Sequence, residues 1–175
     1  MGILKFKNNS NSASYLTVSV LGKALKLNIN YINTSNMELN KNDYEINLYL
    51  PKNYKNNKDI DIINLAIQKL YDKISETEIE YAMEVARHIL NFAPEDYSIK
   101  RLNDSFYKCS KNKIIINPDI VKFNRDIINT TVIQAFCKIK YKTNSIAYKN
   151  LFNDAMNKYE IHKNTTNKIR ILKVS

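Results

Sequence analysis

Between Leu25 and Tyr31 apolar and polar residues alternate without a break: Leu25, Leu27, Ile29 and Tyr31 against Lys26, Asn28 and Asn30. A period of two puts the first set on one face of an extended strand and the second on the other. This is the pattern of a strand with one wet face. It recurs in Tyr15–Leu21, with Leu16, Val18 and Val20 together, and in Tyr44–Leu50, with Tyr44, Ile46, Leu48 and Leu50 together before Pro51. Gly22-Lys23 has the glycine-first order of a type II′ hairpin turn, and Asn33–Asn42 reads as a turn-rich connection. Three antiparallel strands are therefore expected to open the chain. Ahead of them, Met1–Ser12 is polar and reads as a frayed end.

The period then changes. After a basic, asparagine-rich loop at Asn53–Lys58, a helix is expected from Asp59 to Ile74, with Ile63, Ala66, Ile67, Leu70 and Ile74 inward. Ser75-Glu76-Thr77-Glu78 has the form of a capping box and is read as the start of a second helix, with Ile79, Ala82, Met83, Ala86, Ile89 and Leu90 on its stripe and Pro94 beyond its end. Tyr97–Leu102 and Lys113–Ile116 read as short strands around a loop. Two more helices meet across a polar turn in Ile127–Phe152: Ile128, Val132, Phe136 and Ile139 on the first, and Tyr148, Leu151, Phe152, Ala155 and Tyr159 on the second. Strands first and helices after point to an α+β fold, an N-terminal antiparallel sheet packed on helices. With 175 residues, two glycines and three prolines, the chain has enough length for one sizeable core and little material for flexible linkers. Residues 1–160 are read as a single domain and 161–175 as a basic, polar tail.

Chemistry concentrates in the turn between the last two helices. Gln134 and Lys138 lie four apart and share a helix face, and Asn144 follows in the turn. The layout resembles a zincin site, that of the YgjP-like family of small zinc-metallopeptidase-like proteins, where the region reads roughly V-V-H-E-L-x-H-L, then N-H-S and F-W. On that pattern Gln134 and Lys138 take the places of the first two histidines, Ala135 that of the glutamate and Asn144 that of the third histidine. Ser145 keeps the serine, Tyr148 falls on the phenylalanine, and Cys137 falls where some members have cysteine. Upstream, Ser105-Phe106-Tyr107-Lys108-Cys109-Ser110 stands for the family's R-W-G-S-C-S, and Ile114-Ile115-Ile116-Asn117 for its I-x-L-N. The resemblance covers roughly Tyr15–Tyr159. It implies a zincin-like architecture whose metal-site helix is degenerate, with Phe106, Cys109, Asn117, Ser145 and Tyr148 as groove or supporting residues.

What the resemblance implies, these residues cannot perform. Catalytic zinc is held by imidazole, thiolate or carboxylate donors, usually three from the protein, and alanine cannot take a proton from bound water. The expectation is a pseudoenzyme with no cofactor, no metal and no catalytic residue, reused as a scaffold for a protein or peptide. Strand addition to a cleft edge would be its mode, with Lys113–Asn117 and Tyr44–Leu50 as candidate strands. Lys138, if buried, would replace the missing cation and donate hydrogen bonds to Gln134 and Asn144; otherwise it snorkels to solvent.

Other readings come from charge and composition. A net charge of +10 suits nucleic acid, an anionic surface or an acidic protein, and twelve tyrosines could stack on bases, so a basic nucleic-acid-binding protein is the first alternative. The lysines, however, are scattered. A metal-dependent hydrolase with relocated ligands is the second alternative, although nothing in the spacing of His88, His162, Cys109 and Cys137 suggests a site. No phosphate-binding or dinucleotide glycine motif occurs. The two cysteines form no disulfide framework, no apolar run spans a bilayer, and no apolar leader core opens the chain. A cytoplasmic location without membrane insertion is expected.

Overall fold

The computed structural model describes residues 4–7, 15–55 and 59–174. They form two compact units, one holding the chain up to Glu76 together with Asp119–Arg125, the other holding Thr77–Pro118 and the chain from Asp126 onward. The fold class is α+β and consistent with a zincin-like architecture. No helix among the described residues is long and apolar enough to cross a membrane.

In the first unit, β1 (Leu4–Lys7), β2 (Tyr15–Val20), β3 (Lys23–Ile32), β4 (Glu38–Lys41) and β5 (Glu45–Pro51) make one sheet in the order β1-β2-β3-β5-β4. The alternation sets its faces. Val18, Val20, Leu25, Leu27, Ile46, Leu48 and Leu50 are buried. On the opposite face the Asn28 amide donates to Glu45 and Asn47 at 2.8 and 2.9 Å.

The sheet is mixed rather than antiparallel. β3 and β5 run parallel, Leu27 opposite Ile46, because the chain reverses twice between them and lays β4 on the outer side of β5. The second reversal is fixed by Asn42, whose Oδ1 accepts from the backbone N–H of Tyr44 and of Glu45, each at 2.9 Å. Alternation specifies which face a residue takes, not which strand lies alongside. The N-terminal segment also differs from the frayed end expected: Leu4–Lys7 pairs antiparallel with β2, Leu4 opposite Val18. The rest of Met1–Ser12 lies outside the described residues, as do residues 56–58 of the expected loop; Lys52–Tyr54 forms a 3-10 turn.

The β2–β3 hairpin turns at Leu21 and Gly22, one residue earlier than expected. Both have positive φ, 49° and 79°, which is the type I′ pattern, not II′. Leucine rarely adopts this conformation; here the tip is held from outside. Leu21 N–H donates to the Val121 carbonyl at 2.7 Å and Gly22 N–H to that of Lys122 at 3.2 Å. A Cβ on Gly22 would stand 2.9 Å from the Cβ of Asn124.

Helix α1 (Asp59–Leu90) is one helix of 32 residues, not two. Ser75 does not cap: it is fully buried and its Oγ donates to the Asp72 carbonyl at 2.7 Å. The buried series Ile67, Tyr71, Ser75, Ile79 advances by four each time, so Ser75 keeps the phase of one continuous stripe. Burial along the whole helix outweighs a local cap signal. The helix ends where Asn91 takes a φ of 55° and its N–H closes on the Arg87 carbonyl at 2.9 Å.

In the second unit β6 (Asp96–Ile99), β7 (Tyr107–Ser110) and β8 (Lys113–Ile116) form a sheet ordered β6-β8-β7, with β6 parallel and β7 antiparallel to β8. Helices α2 (Arg125–Lys140) and α3 (Ile146–Val174) follow. The segment read as a tail from Ile161 continues α3. Near the start of α2, Asp126 accepts from the Tyr159 hydroxyl at 2.9 Å and from Lys163 Nζ at 2.7 Å, while Asn129 donates to Tyr159 at 3.0 Å, tying α2 to α3.

Gly22→Ala is expected to lower stability by at least about 1 kcal/mol, since it strains both φ and the Asn124 contact, read as a fall in the thermal midpoint. The Asp126 carboxyl is held below the ordinary range, first by the hydrogen bond from Lys163. Its contribution is therefore present above the ordinary carboxylate range and lost as pH falls through the depressed value. Asp126→Asn should flatten the acid side of the stability–pH curve.

Candidate functional site

All nine residues singled out from the sequence fall in the second unit, and they separate into a contact zone and a supporting frame. The contact zone is where β7 meets α2. Residues two apart on a strand share a face, so Tyr107 and Cys109 point the same way. The Cys109 thiol donates to the Ala135 carbonyl at 3.5 Å, and Lys138 Nζ stands 5.3 Å from the centre of the Tyr107 ring. Ala135 and Cys137 are fully buried, Gln134 is half-buried and Lys138 is exposed. The ammonium thus reaches solvent over an aromatic face and is not a buried cation.

Asn144 is exposed in the turn after α2. No hydrogen bond among the described residues joins it or Gln134 to Lys138, so the expected three-residue cluster does not form. Unpaired burial of an ammonium is costly, whereas the surface over Tyr107 is open to it.

Asn117, Phe106 and Ser145 belong to the frame. Asn117 is buried; its amide donates to the carbonyls of Leu102 and Ser105 at 2.9 and 3.2 Å, and its N–H to that of Phe106 at 2.8 Å. It staples the loop that delivers β7. Ser145 caps α3: its Oγ accepts from Tyr148 N–H at 3.1 Å and donates to the Lys142 carbonyl at 2.8 Å. Tyr148 is buried and stacks on Phe152 with ring centres 6.1 Å apart.

The polar groups here are held protonated. Burial pushes the Tyr107 phenol up to about 12, with Tyr148 and both cysteines close enough to add to the rise. Burial pushes the Cys137 thiol up to about 11. Cys109 is also raised by burial, against the opposing pull of Lys138, and Tyr148 by burial, against that of Gln134. The Tyr148 hydroxyl is buried and closes no hydrogen bond of good geometry, although the Gln134 side chain lies close enough to oppose the rise.

Zinc does not fit these residues. An amide, an ammonium and a second amide offer no imidazole, and the two thiols are raised away from thiolate, the form that ligates. Among the described residues no group of three His, Cys, Asp or Glu side chains converges.

The model of the YgjP-like metallopeptidase domain matches residues 4–169. The chain belongs to the YgjP-like family. The match covers both units and includes β1, which the sequence reading left outside its resemblance. No curated protein and no solved structure matches the chain. Within this YgjP-like domain the residue that sequence reasoning missed is Tyr107. Its signal was present, two positions before Cys109 in a block that became legible once β7 was known to be a strand.

Two strands named as docking edges are corrected. β8, within Lys113–Asn117, is central to its sheet, and β5, within Tyr44–Leu50, lies between β3 and β4. Neither has a side open for another strand. Among the described residues the outer strands are β6 and β7 in one sheet, β1 and β4 in the other.

Lys138→Met should cost only about 0.5–1 kcal/mol, the worth of an exposed cation–π contact. It should also raise the Cys109 pKa further, because it removes the group that lowers it. Alkylation of Cys109 at a fixed alkaline pH should slow in the variant, followed by mass spectrometry.

Proposed function

We propose that this YgjP-like domain is a catalytically inactive metallopeptidase relative that serves as a protein- or peptide-binding scaffold. The observation that supports it best is at the family's metal-helix positions. Lys138 occupies the place of the second histidine with its ammonium over Tyr107, and Ala135 occupies that of the general base, offering only a backbone carbonyl already engaged by Cys109. A positive charge at a ligand position repels a divalent cation, and a methyl group cannot accept a proton.

The binding mode that fits is strand addition along β7. It is an outer strand of its sheet and the one that touches Ala135 and Lys138. Backbone groups on such an edge supply affinity, and side chains along the neighbouring α2 face supply selectivity. A partner that pairs in this way needs no metal.

Restoring the family residues tests the assignment of positions. The combined variant Gln134→His, Ala135→Glu, Lys138→His and Asn144→His should gain a tight zinc site that a variant restoring only Asn144→His lacks, measured by competition with a chromogenic chelator. No gain would refute the correspondence. Crosslinked capture from the native host separates the binding readings. A specific protein retained after nuclease treatment supports the scaffold. Recovery that collapses with nuclease, with affinity falling steeply as salt rises, replaces it with nucleic-acid binding.

A further inference from the structure

His88 and His162 are the only two histidines in the chain. They are 74 positions apart, yet their rings, one on α1 and one on α3, have centres 5.9 Å apart and planes inclined by 50°. They line a cavity of about 380 Å³ with Asn91, Lys158, Thr165 and two isoleucines. We propose that this pair is a binding site for a divalent transition-metal ion of the Zn²⁺, Ni²⁺ and Cu²⁺ class, with water completing the shell.

Distance is the first support. A metal about 2.0–2.1 Å from a ring nitrogen sits roughly 3.2 Å from the ring centre, so two rings sharing one ion have centres at most about 6.4 Å apart. The observed separation lies within that reach. A tetrahedral angle at the metal would need an approach of under about 1 Å, within the freedom of two side-chain torsions each.

Charge is the second. Three cations flank the pair in sequence or line its cavity, and each is held by a carboxylate: Arg87 by Glu84 at 2.6 Å, Lys158 by Asp154 at 2.8 Å and Lys163 by Asp126 at 2.7 Å. Their repulsion of an incoming ion is offset in place. His88 also lies in the last turn of α1, where the helix dipole presents its negative end and favours a cation.

Ligand type sets the class. Neutral imidazole suits zinc, copper and nickel, and not magnesium or calcium. No third His, Cys, Asp or Glu joins the pair among the described residues, so binding should be weaker than in a closed structural site. Because the ion would bridge α1 to α3, it should also stiffen that junction. The site shares no residue with the Gln134–Lys138 face and does not rest on the function proposed above.

The experiment is calorimetric titration of the full chain with Ni²⁺ and Zn²⁺, beside His88→Gln, His162→Gln and a Cys109→Ser/Cys137→Ser control. One ion per chain is expected in the native protein and the cysteine control. Each histidine variant should bind at least about tenfold more weakly, with an unchanged metal-free melting temperature. The metal should raise the melting temperature of the native protein and not of the histidine variants. No saturable binding at millimolar metal, or binding indifferent to both histidine substitutions, overturns the proposal. A histidine variant that is unstable without metal is replaced by His88→Asn or His162→Asn, and the same criterion applies.

Discussion

The ammonium of Lys138 has to remain in contact with water, and the arrangement around the Gln134–Lys138 face of α2 follows from that. Burying an unpaired charge costs more than a marginally stable domain can absorb. The side chain therefore runs outward over Tyr107, and the interior beneath is left to groups that are neutral: the thiol of Cys109 on the Ala135 carbonyl, the buried thiol of Cys137 and the phenol of Tyr148. A zinc site asks for the opposite, anionic or imidazole donors converging on a charge the protein does not own. The two designs exclude each other at the same helix face. The frame that delivers them is indifferent to the choice, since Asn117 staples the loop before β7 and Ser145 caps α3 whatever lies between.

Much of the fold could be read from residue spacing, because faces are encoded locally. The alternation names the buried side of β3 and β5 correctly at Leu25, Leu27, Ile46, Leu48 and Leu50, whereas Tyr44, just before β5, is exposed, and the stripes of Ile128–Phe136 and Tyr148–Tyr159 name that of α2 and α3. What spacing does not encode is adjacency. The parallel pairing of β3 with β5 depends on two reversals and on Asn42, and the type I′ geometry at Leu21-Gly22 depends on carbonyls of Val121 and Lys122, a hundred residues away. The capping signal at Ser75 was genuine as a local preference and lost to a stripe that runs through it. α1 is long because Ser75 is small enough to be buried and can satisfy its hydroxyl on the preceding turn.

The site was legible in a similar proportion. Positions 134, 135, 138 and 144 were picked out by a resemblance to the family's pattern, and the proposal that they hold no metal rests on residue type. Their geometry could not be read that way. Asn144 stands apart in its turn, and Tyr107, quoted in its block but given no role there, supplies the surface on which Lys138 rests. The strands proposed as docking edges failed for the reason that misled the sheet: a strand's sequence does not say whether it is central or outermost. β8 is apolar on account of being central, with Ile114 and Ile116 fully buried, so the same residues that made it a conspicuous strand disqualify it as an edge.

The decisive measurement is turnover of a mixed peptide library by the native protein, with zinc supplied and with zinc chelated. Inactivity in both conditions, at protein concentrations where an active metallopeptidase would consume the library, is the result expected of a face built around Lys138 and Ala135. Cleavage that appears with zinc, disappears with chelator and is abolished by substitution of Gln134 would contradict that, and would mean that this helix face still holds a working metal.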